Sequence, residues 1–212
     1  MLEVVTTGSF QTNSYILSNE KKECIIIDPG LDYKKVAEYI KEKYIPKAIL
    51  LTHGHLDHID GILYFMDLPI YVSEYDEESL YDTDKALYTF LGRISPFNKG
   101  DLNIHILKDK DKFNLIGFDI EAYLTPGHTE GSMIFYIDSL LFSGDTLFYL
   151  SCGRTDFPSG DSKKMKESLN FIVNHFPLDT KVYPGHGECT SIKNEKDSNP
   201  YIGNNYYNRD FI

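Results

Sequence analysis

Eight residues, Leu51 to His58, read LTHGHLDH and place three imidazoles and one carboxylate within six consecutive positions. Directly before them, Lys47–Leu51 has the apolar character of a buried strand. In extended backbone, residues two apart face the same way. His53 and His55 can therefore grip one ion together, with Gly54 permitting a tight backbone between them. Asp57 and His58 fall at the expected start of the next helix and point elsewhere, so a second ion can sit beside the first. Such a cluster calls for more donors downstream, each at a strand end or in a loop. TPGHT provides His128, FSGDT provides Asp145 and YPGHG provides His186, each flanked by a glycine that lets backbone approach closely. His105 and His175 lie in ordinary strand and helix contexts and read as structural.

The remaining composition narrows the function classes. A chain of 212 residues is long enough for one substantial core, and nothing in it forces a split, so residues 1–212 read as a single domain. The 32 acidic and 21 basic residues give a net charge of −11, a surface that repels a phosphate backbone and argues against a nucleic-acid partner. Lys163, Lys164 and Lys166 form a short run that reads as a solvated helix face. The start, MLEVVTT, has no basic n-region or long apolar stretch, and no segment approaches the roughly 18 apolar residues of a membrane span. Cys24, Cys152 and Cys189 are too widely spaced for a disulfide framework or a paired-Cys zinc site. Free thiols in a reducing cytoplasm fit them better, with Cys152 read as a small buried hydrophobe.

Along the chain, Leu2–Thr6, Ser14–Leu17 and Cys24–Asp28 read as strands, and Asp28-Pro29-Gly30 stops the last. Asp32 opens a helix whose apolar face is Tyr33, Val36, Ala37, Ile40 and Tyr44. Ile59–Met66 looks helical and Pro69–Val72 looks like a strand. Glu74–Gly100 is the least regular region and suits a lid beside a site or a plain structural excursion. After Ile104, KDKDK, LIGFD and YIDSLLF look like hairpin turns. A helix at Lys163–His175, a strand at Lys181–Tyr183 and a short helix after Thr190 follow. Strands on both sides of interspersed helices suggest a layered α/β domain with two sheets inside.

The donor order resembles the metallo-β-lactamase superfamily, in which T-H-x-H-x-D-H, then His, Asp and His, build a two-metal site. The resemblance runs from GSFQTNSYIL near the start to GHGECTSIKNEKDSNP near the end. It implies a four-layer αββα sandwich, two β-sheets flanked by helices. It implies that His53, His55 and His128 hold one metal, that Asp57, His58 and His186 hold the other, and that Asp145 bridges them, with Asp57 and Asp145 counted as catalytic. Asp28, in IIDPG, matches a position that orients a metal ligand from behind, and it is equally suited to forming the turn before Pro29. Two zinc ions suit the imidazole-rich set, and iron or manganese is also accepted. Two metals about 3.5–4 Å apart can trap a hydroxide, because metal binding lowers the pKa of water from 15.7 towards about 7. That hydroxide can attack an acyl carbonyl while a metal steadies the oxyanion.

Within the superfamily, β-lactamases of the commonest class carry a Cys where Asp145 stands and are exported. Flavin-linked di-iron reductases carry a Glu in place of His55 and a flavodoxin domain. Nucleic-acid-processing members bring extra domains or a basic arm. None of these features is visible. FSGDTLFYLSCGRTDFPSGD and YPGHGECTSIKNEKDSNPYI resemble the small bacterial glyoxalase II-like hydrolases, which implies a small-molecule acyl-thiol substrate and no membrane partner. Arg154 aligns with a basic residue that binds the thiol-peptide moiety, where a guanidinium can hold a carboxylate bidentately. Full-length glyoxalase II continues into a helical C-terminal domain, whereas this chain ends at NNYYNRDFI. Lys193 and Lys196 stand in for that domain's basic groups or are exposed helix charges. Thioester hydrolysis is therefore the expected activity. An iron-dependent persulfide dioxygenase, using only the first-metal donors and resembling SCGRTDF, is the alternative. A non-catalytic metal-binding scaffold is the third. The pattern sets no oligomeric state.

Overall fold

Strand β3 (Glu23–Ile27) feeds two cores at once. Its side chains alternate, so Cys24 and Ile26 enter one apolar cluster while Ile25 and Ile27 enter another on the opposite face. A strand with that burial has to lie inside a sheet covered on both sides. This computed structural model describes residues 1–202, and the tail at residues 203–212 lies outside the described residues.

The first sheet runs β1 (Leu2–Thr7), β2 (Thr12–Ser18), β3, β4 (Ile45–Leu50), β5 (Pro69–Ser73) and β6 (Asn103–Leu107) in spatial order. Its first three strands are antiparallel and the rest join in parallel. The second sheet contains β7 (Asp111–Leu115), β8 (Phe118–Leu124), β9 (Met133–Ile137), β10 (Leu140–Gly144), β13 (Lys181–Pro184) and β14 (Thr190–Ser191). β10 and β13 are parallel in it, and the other pairs are antiparallel. A two-stranded ribbon, β11 (Leu147–Phe148) and β12 (Ser151–Cys152), stands apart.

Tyr15, Leu17, Ile27, Leu50, Phe135 and Phe142 fill the space between the sheets. Helix α1 (Lys34–Lys43) covers the outer face of the first sheet, and α3 (Ser162–His175) and α4 (Ile192–Ser198) cover the second. The architecture is thus the expected four-layer αββα sandwich. Lys163, Lys164 and Lys166 are exposed on α3, whose N-cap Asp161 accepts from the backbone N–H of Lys163 and Lys164. Among the described residues, no helix is long and apolar enough to cross a membrane.

Three local expectations need correction. α1 starts at Lys34 because Asp32 adopts a left-handed φ of 55°, which no α-helix accommodates. Ile59–Met66 is not one helix: α2 (Leu56–Ile59) tightens into a 3₁₀ turn over Asp60–Tyr64. Gly61 is pressed there against Pro29 and Tyr33, where a Cβ would lie 2.8 Å from the Tyr33 ring. KDKDK is not a hairpin but carries the chain from β6 in one sheet to β7 in the other. LIGFD and YIDSLLF do form hairpins, the latter with Asp138 and Ser139 at φ 49° and 66° as a two-residue turn.

Glu74–Gly100 is built into the molecule. Leu80, Ala86, Tyr88 and Phe97 are buried in the first-sheet core, while Phe90 and Ile94 are 67% and 78% exposed.

Candidate metal centre

β3 and β4 share a direction in the first sheet and β8, β10 and β13 share one in the second, and the meeting of their donor-bearing loops puts all five ends at one rim of the sandwich. The loops leaving those ends carry Asp28, the His53–His58 run, His128, Asp145 and His186. Strand ends are rigid platforms, so donors far apart in sequence meet with little slack.

They form three overlapping groups: His53, His55 and His128; His53, His58 and Asp145; and Asp57, His58 and His186. Within each group the donor atoms lie within 4.8 Å of one another. His55 Nδ1 sits 2.9 Å from His128 Nε2. Asp145 lies between the two ends of the cluster, with one oxygen 3.5 Å from His58 Nε2 and the other 3.5 Å from His128 Nε2 and 3.4 Å from His186 Nε2. Asp57 Oδ2 is 3.4 Å from His186 Nε2. All seven residues singled out in the sequence are brought together. His105, stacked on Tyr71, and His175, beside Tyr123, stay outside the cluster.

Ring orientation is fixed from behind. A carboxylate or carbonyl can only accept, so His58 Nδ1 donates to Asp28 (3.0 Å), His128 Nδ1 to the Arg154 carbonyl (2.8 Å) and His186 Nδ1 to the Phe10 carbonyl (3.0 Å). Each of these three rings therefore turns Nε2 toward the others, the nitrogen that is bare when the ring is neutral. Asp28 also accepts from the Thr52 amide and hydroxyl at 2.8 and 2.6 Å. With its proton committed to Asp28, the Thr52 hydroxyl accepts from His53 Nδ1 at 3.2 Å. Asp28 is at once the turn-former, at φ 51°, and the anchor of His58.

Other contributors escaped the sequence reading. Thr12 donates to Asp57 Oδ2 (2.8 Å), and Asn13 ties down the His186 loop through the carbonyls of Pro184 and Gly187. Asp76, inside the irregular segment, accepts from the amides of Gly54 and Gly131 and from the Thr129 hydroxyl. Only the place of Thr12 and Asn13 within the GSFQTNSYIL stretch offered a signal.

Burial and the surrounding imidazoles hold His53 well below its ordinary pKa and His55 at about 3. Burial also opposes a proton on His58 and His186, but the neighbouring carboxylates outweigh it and raise them to about 9 and about 11. Burial pushes the Asp57 and Asp145 carboxyls up, and the facing histidines pull both below the ordinary range. Two ionised carboxylates in so buried a place need compensating positive charge. His53 Nε2, His55 Nε2 and Asp145 Oδ1 are buried with no hydrogen-bond partner, an arrangement that favours cations over an all-protein network. The imidazole and carboxylate donors fit zinc, iron or manganese.

Glycines make the approach possible. A Cβ on Gly185 would fall 2.2 Å from Asp145 Oδ1 and 2.8 Å from His58 Cε1.

A cleft of about 400 Å³ opens over the cluster, walled by Phe10, Leu87, Phe90, Phe148 and Phe157. Phe157 packs edge-on against His55 and His128, with ring centroids 5.6 and 6.2 Å away. Arg154 stands at the rim with its guanidinium 4.1 Å above the Phe157 ring and paired to both oxygens of Asp156 at 2.6 and 2.5 Å. Lys193 and Lys196 are exposed on α4, and Lys196 is bonded to the end of α3 rather than reaching the cleft. The β11–β12 ribbon brings Phe148, Ser151 and Cys152 to the wall. Buried Glu195 braces it by accepting from the Leu150 amide (2.9 Å), Thr190 (2.6 Å), Asn194 (2.8 Å) and Asn199 (2.7 Å). Burial pushes the Cys152 thiol up to about 12, as suits a packed small hydrophobe.

A family model described as the metallo-beta-lactamase superfamily matches residues 7–186. The chain belongs to the metallo-β-lactamase superfamily. Among relatives in this superfamily, the probable metallo-hydrolase YqgX of Bacillus subtilis (strain 168) is 35% identical over 92% of this chain and 94% of its own length. The hydroxyacylglutathione hydrolase GloC of Haemophilus influenzae is 31% identical over 95% and 97%. Of solved superfamily structures, the BLEG-1 B3 metallo-beta-lactamase superposes with a TM-score of 0.88 at 36% identity, covering 95% of this chain and 99% of that one. TTHA1623, described in a di-iron-bound form, gives 0.79 at 33% identity over 94% and 100%. The donor cluster and that di-iron relative together mark the chain as a metal-binding superfamily member.

Proposed function

We propose that this protein is a dinuclear metal-dependent hydrolase of acyl-thiol esters. The observation that carries the reading is the complete donor set: His53, His55 and His128 on one side, Asp57, His58 and His186 on the other, and Asp145 between them at the floor of an open cleft. In this reading the two triads each hold one ion, zinc in the first instance, with iron or manganese as substitutes. When bound, the ions supply Lewis acidity toward a carbonyl oxygen and ionise water near neutral pH.

The chain's own residues do the rest. Asp28 and the carbonyls of Arg154 and Phe10 hold His58, His128 and His186 in donor orientation, and Thr12 holds Asp57. The phenylalanine walls exclude water from around the scissile group and position the acyl chain. A thiol of pKa about 8.5 leaves as a thiolate without a dedicated proton donor, and those hydrocarbon walls supply none. This favours a thioester over an unactivated amide. Likeness to GloC, named a hydroxyacylglutathione hydrolase, supports the same reaction class. A persulfide dioxygenase would use the first triad alone, and the fully assembled second triad favours hydrolysis. β-Lactam hydrolysis is the second reading, favoured by the likeness to BLEG-1. Cys24, Cys152 and Cys189 are unpaired, which suits a reducing compartment such as the cytoplasm.

The test is loss of thioester absorbance for S-D-lactoylglutathione and for uncharged thioesters, with the protein loaded with zinc, iron or manganese, and a chromogenic cephalosporin alongside. Hydrolysis that disappears on chelation and in Asp145→Ala, while the folded circular dichroism spectrum persists, is expected. Cleavage of the cephalosporin alone would move the assignment to the second reading. Inertness toward all of them with metal bound would reject both.

A further inference from the structure

The cleft carries a charge and apolarity pattern that thioester hydrolysis does not by itself require. Phe10 and Phe90 are 46% and 67% exposed, and with Phe148 and Phe157 they present bare aromatic surface toward the floor. Exposed apolar surface concentrated in one concave place marks a site for an apolar ligand part. Among the described residues, Arg154 is the only Lys or Arg side chain lining this cleft. One edge of its fork is already taken. Asp156 occupies Nε and Nη2 bidentately, and Phe157 lies flat beneath the guanidinium.

A substrate carboxylate reaching Arg154 either displaces Asp156 or docks on the remaining Nη1 edge with the Asp156 carboxylate close beside it. The first course exchanges one bidentate ion pair for another and leaves Asp156 unpaired, and the second sets two anions against one exposed cation, so in both the net gain is small. Lys193 and Lys196 do not line the cleft. The chain as a whole, at −11, adds repulsion. A glutathione thioester brings two carboxylates to this rim and finds no unpaired cation for them among the described residues.

We infer that the site selects thioesters whose acyl and thiol parts are both uncharged and apolar, and discriminates against thiol carriers that bear carboxylates. The inference rests on the hydrolase reading above and names its substrate class. Phe90 and Phe157 grip the apolar part, and the Arg154–Asp156 pair acts as a closed gate to anionic carriers.

The experiment compares matched acyl groups, lactoyl and hexanoyl, each carried on glutathione and on N-acetylcysteamine, with the metal-loaded protein. The uncharged carrier should give a kcat/KM at least about tenfold higher for either acyl group, the worth of one missing charge-assisted pair. The hexanoyl ester should exceed the lactoyl ester. Asp156→Asn frees Arg154 and should narrow the ratio between the two carriers about tenfold. Phe90→Ala should raise KM for the hexanoyl ester more than for the lactoyl ester. Equal or faster turnover of the glutathione esters, or a carrier ratio untouched by Asp156→Asn, would overturn the inference while leaving the hydrolase reading in place. No turnover of any of the four esters would remove the hydrolase reading itself, and this inference with it.

Discussion

Asp28 and His58 are joined by a 3.0 Å hydrogen bond across 30 positions of sequence, and both side chains are almost wholly buried. Asp28 can reach because its backbone turns left-handed, at φ 51°, where β3 ends. Asp tolerates that conformation better than most residues, so the turn and the anchor are met by one side chain. The bond fixes which nitrogen of His58 faces the cluster, and with it one corner of the proposed metal cage.

Asp28→Asn keeps the turn but replaces one acceptor oxygen with an N–H₂ group. The carboxylate now serves three donors, Thr52 N, Thr52 Oγ1 and His58 Nδ1, through two oxygens. The amide cannot accept from all three. Metal affinity should fall about 10- to 100-fold, as for other groups that orient a ligand from behind. Competition with a coloured chelator measures it, and an unchanged affinity would show that His58 keeps its orientation without Asp28.

Glu195 is fully buried and accepts from four donors, one of them the Leu150 amide of the ribbon that carries Phe148 to the cleft. Glu195→Ala strands those donors. The expected loss is about 3 kcal/mol by chemical denaturation, with KM rising more than kcat falls, because the cleft wall loosens while the donor cluster stays intact. A variant of wild-type stability would mean that water replaces the carboxyl without cost.

The seven donors were legible because five of them sit beside glycine at the end of an apolar run, and Asp57 and His58 follow in the same short loop, a local pattern that survives without any knowledge of contacts. The inner strands of the first sheet were legible from pattern alone: Cys24–Ile27 and Ala48–Leu51 are apolar throughout, so each had to be covered on both faces. What stayed hidden is long-range. Thr12 meets Asp57 across 45 positions and Asp76 meets Thr129 across 53, and a lone Thr or Asp in a loop looks the same whether or not it has such a partner. KDKDK has the chemistry of a tight turn, and Lys110 is indeed left-handed at φ 66°. Whether such a turn folds a strand back or passes it to another sheet depends on the edges available, which no short window contains. Arg154 was expected to face a substrate carboxylate, and the Asp that engages it stands only two residues away, in the same quoted stretch. The Phe157 ring, 4.1 Å beneath the guanidinium, is the platform on which the two meet.

Outside the site, Glu3 gathers Lys43 Nζ and the Tyr44 hydroxyl at 2.6 Å each and the Tyr39 hydroxyl at 2.8 Å, tying β1 to α1. Hydrogen bonds from Lys43 and then Tyr44 draw its carboxyl down to about 2. A carboxyl depressed on folding contributes stability above its unfolded value, near 4.5, and loses it as the pH falls toward 2. Wild type should therefore melt slightly higher than Glu3→Gln at neutral pH, by about 2 °C for so exposed a cluster. The gap should close between pH 4.5 and 2. A gap that persists at pH 2 would assign the difference to packing rather than to charge.

The loop around His186 offers the sharpest contrast, since its two glycines differ in what surrounds them. A methyl group on Gly185 would overlap Asp145 Oδ1 at 2.2 Å and press on His58 Cε1 at 2.8 Å, with the Gly144 carbonyl carbon 3.1 Å behind. The Asp145 carboxylate is the side-chain end nearest the new methyl group, so Gly185→Ala should drive Asp145 out of the cluster. Bound metal should fall below one ion per chain by elemental analysis, with hydrolysis lost and the two sheets still folded. Gly187 has a left-handed φ of 75° but open space where its Cβ would go. Gly187→Ala therefore meets only backbone strain, about 1 kcal/mol, and should keep its metal and most of its activity. Equal metal loss in the two variants would show that strain in the loop, and not the contact with Asp145, governs how the seven donors assemble.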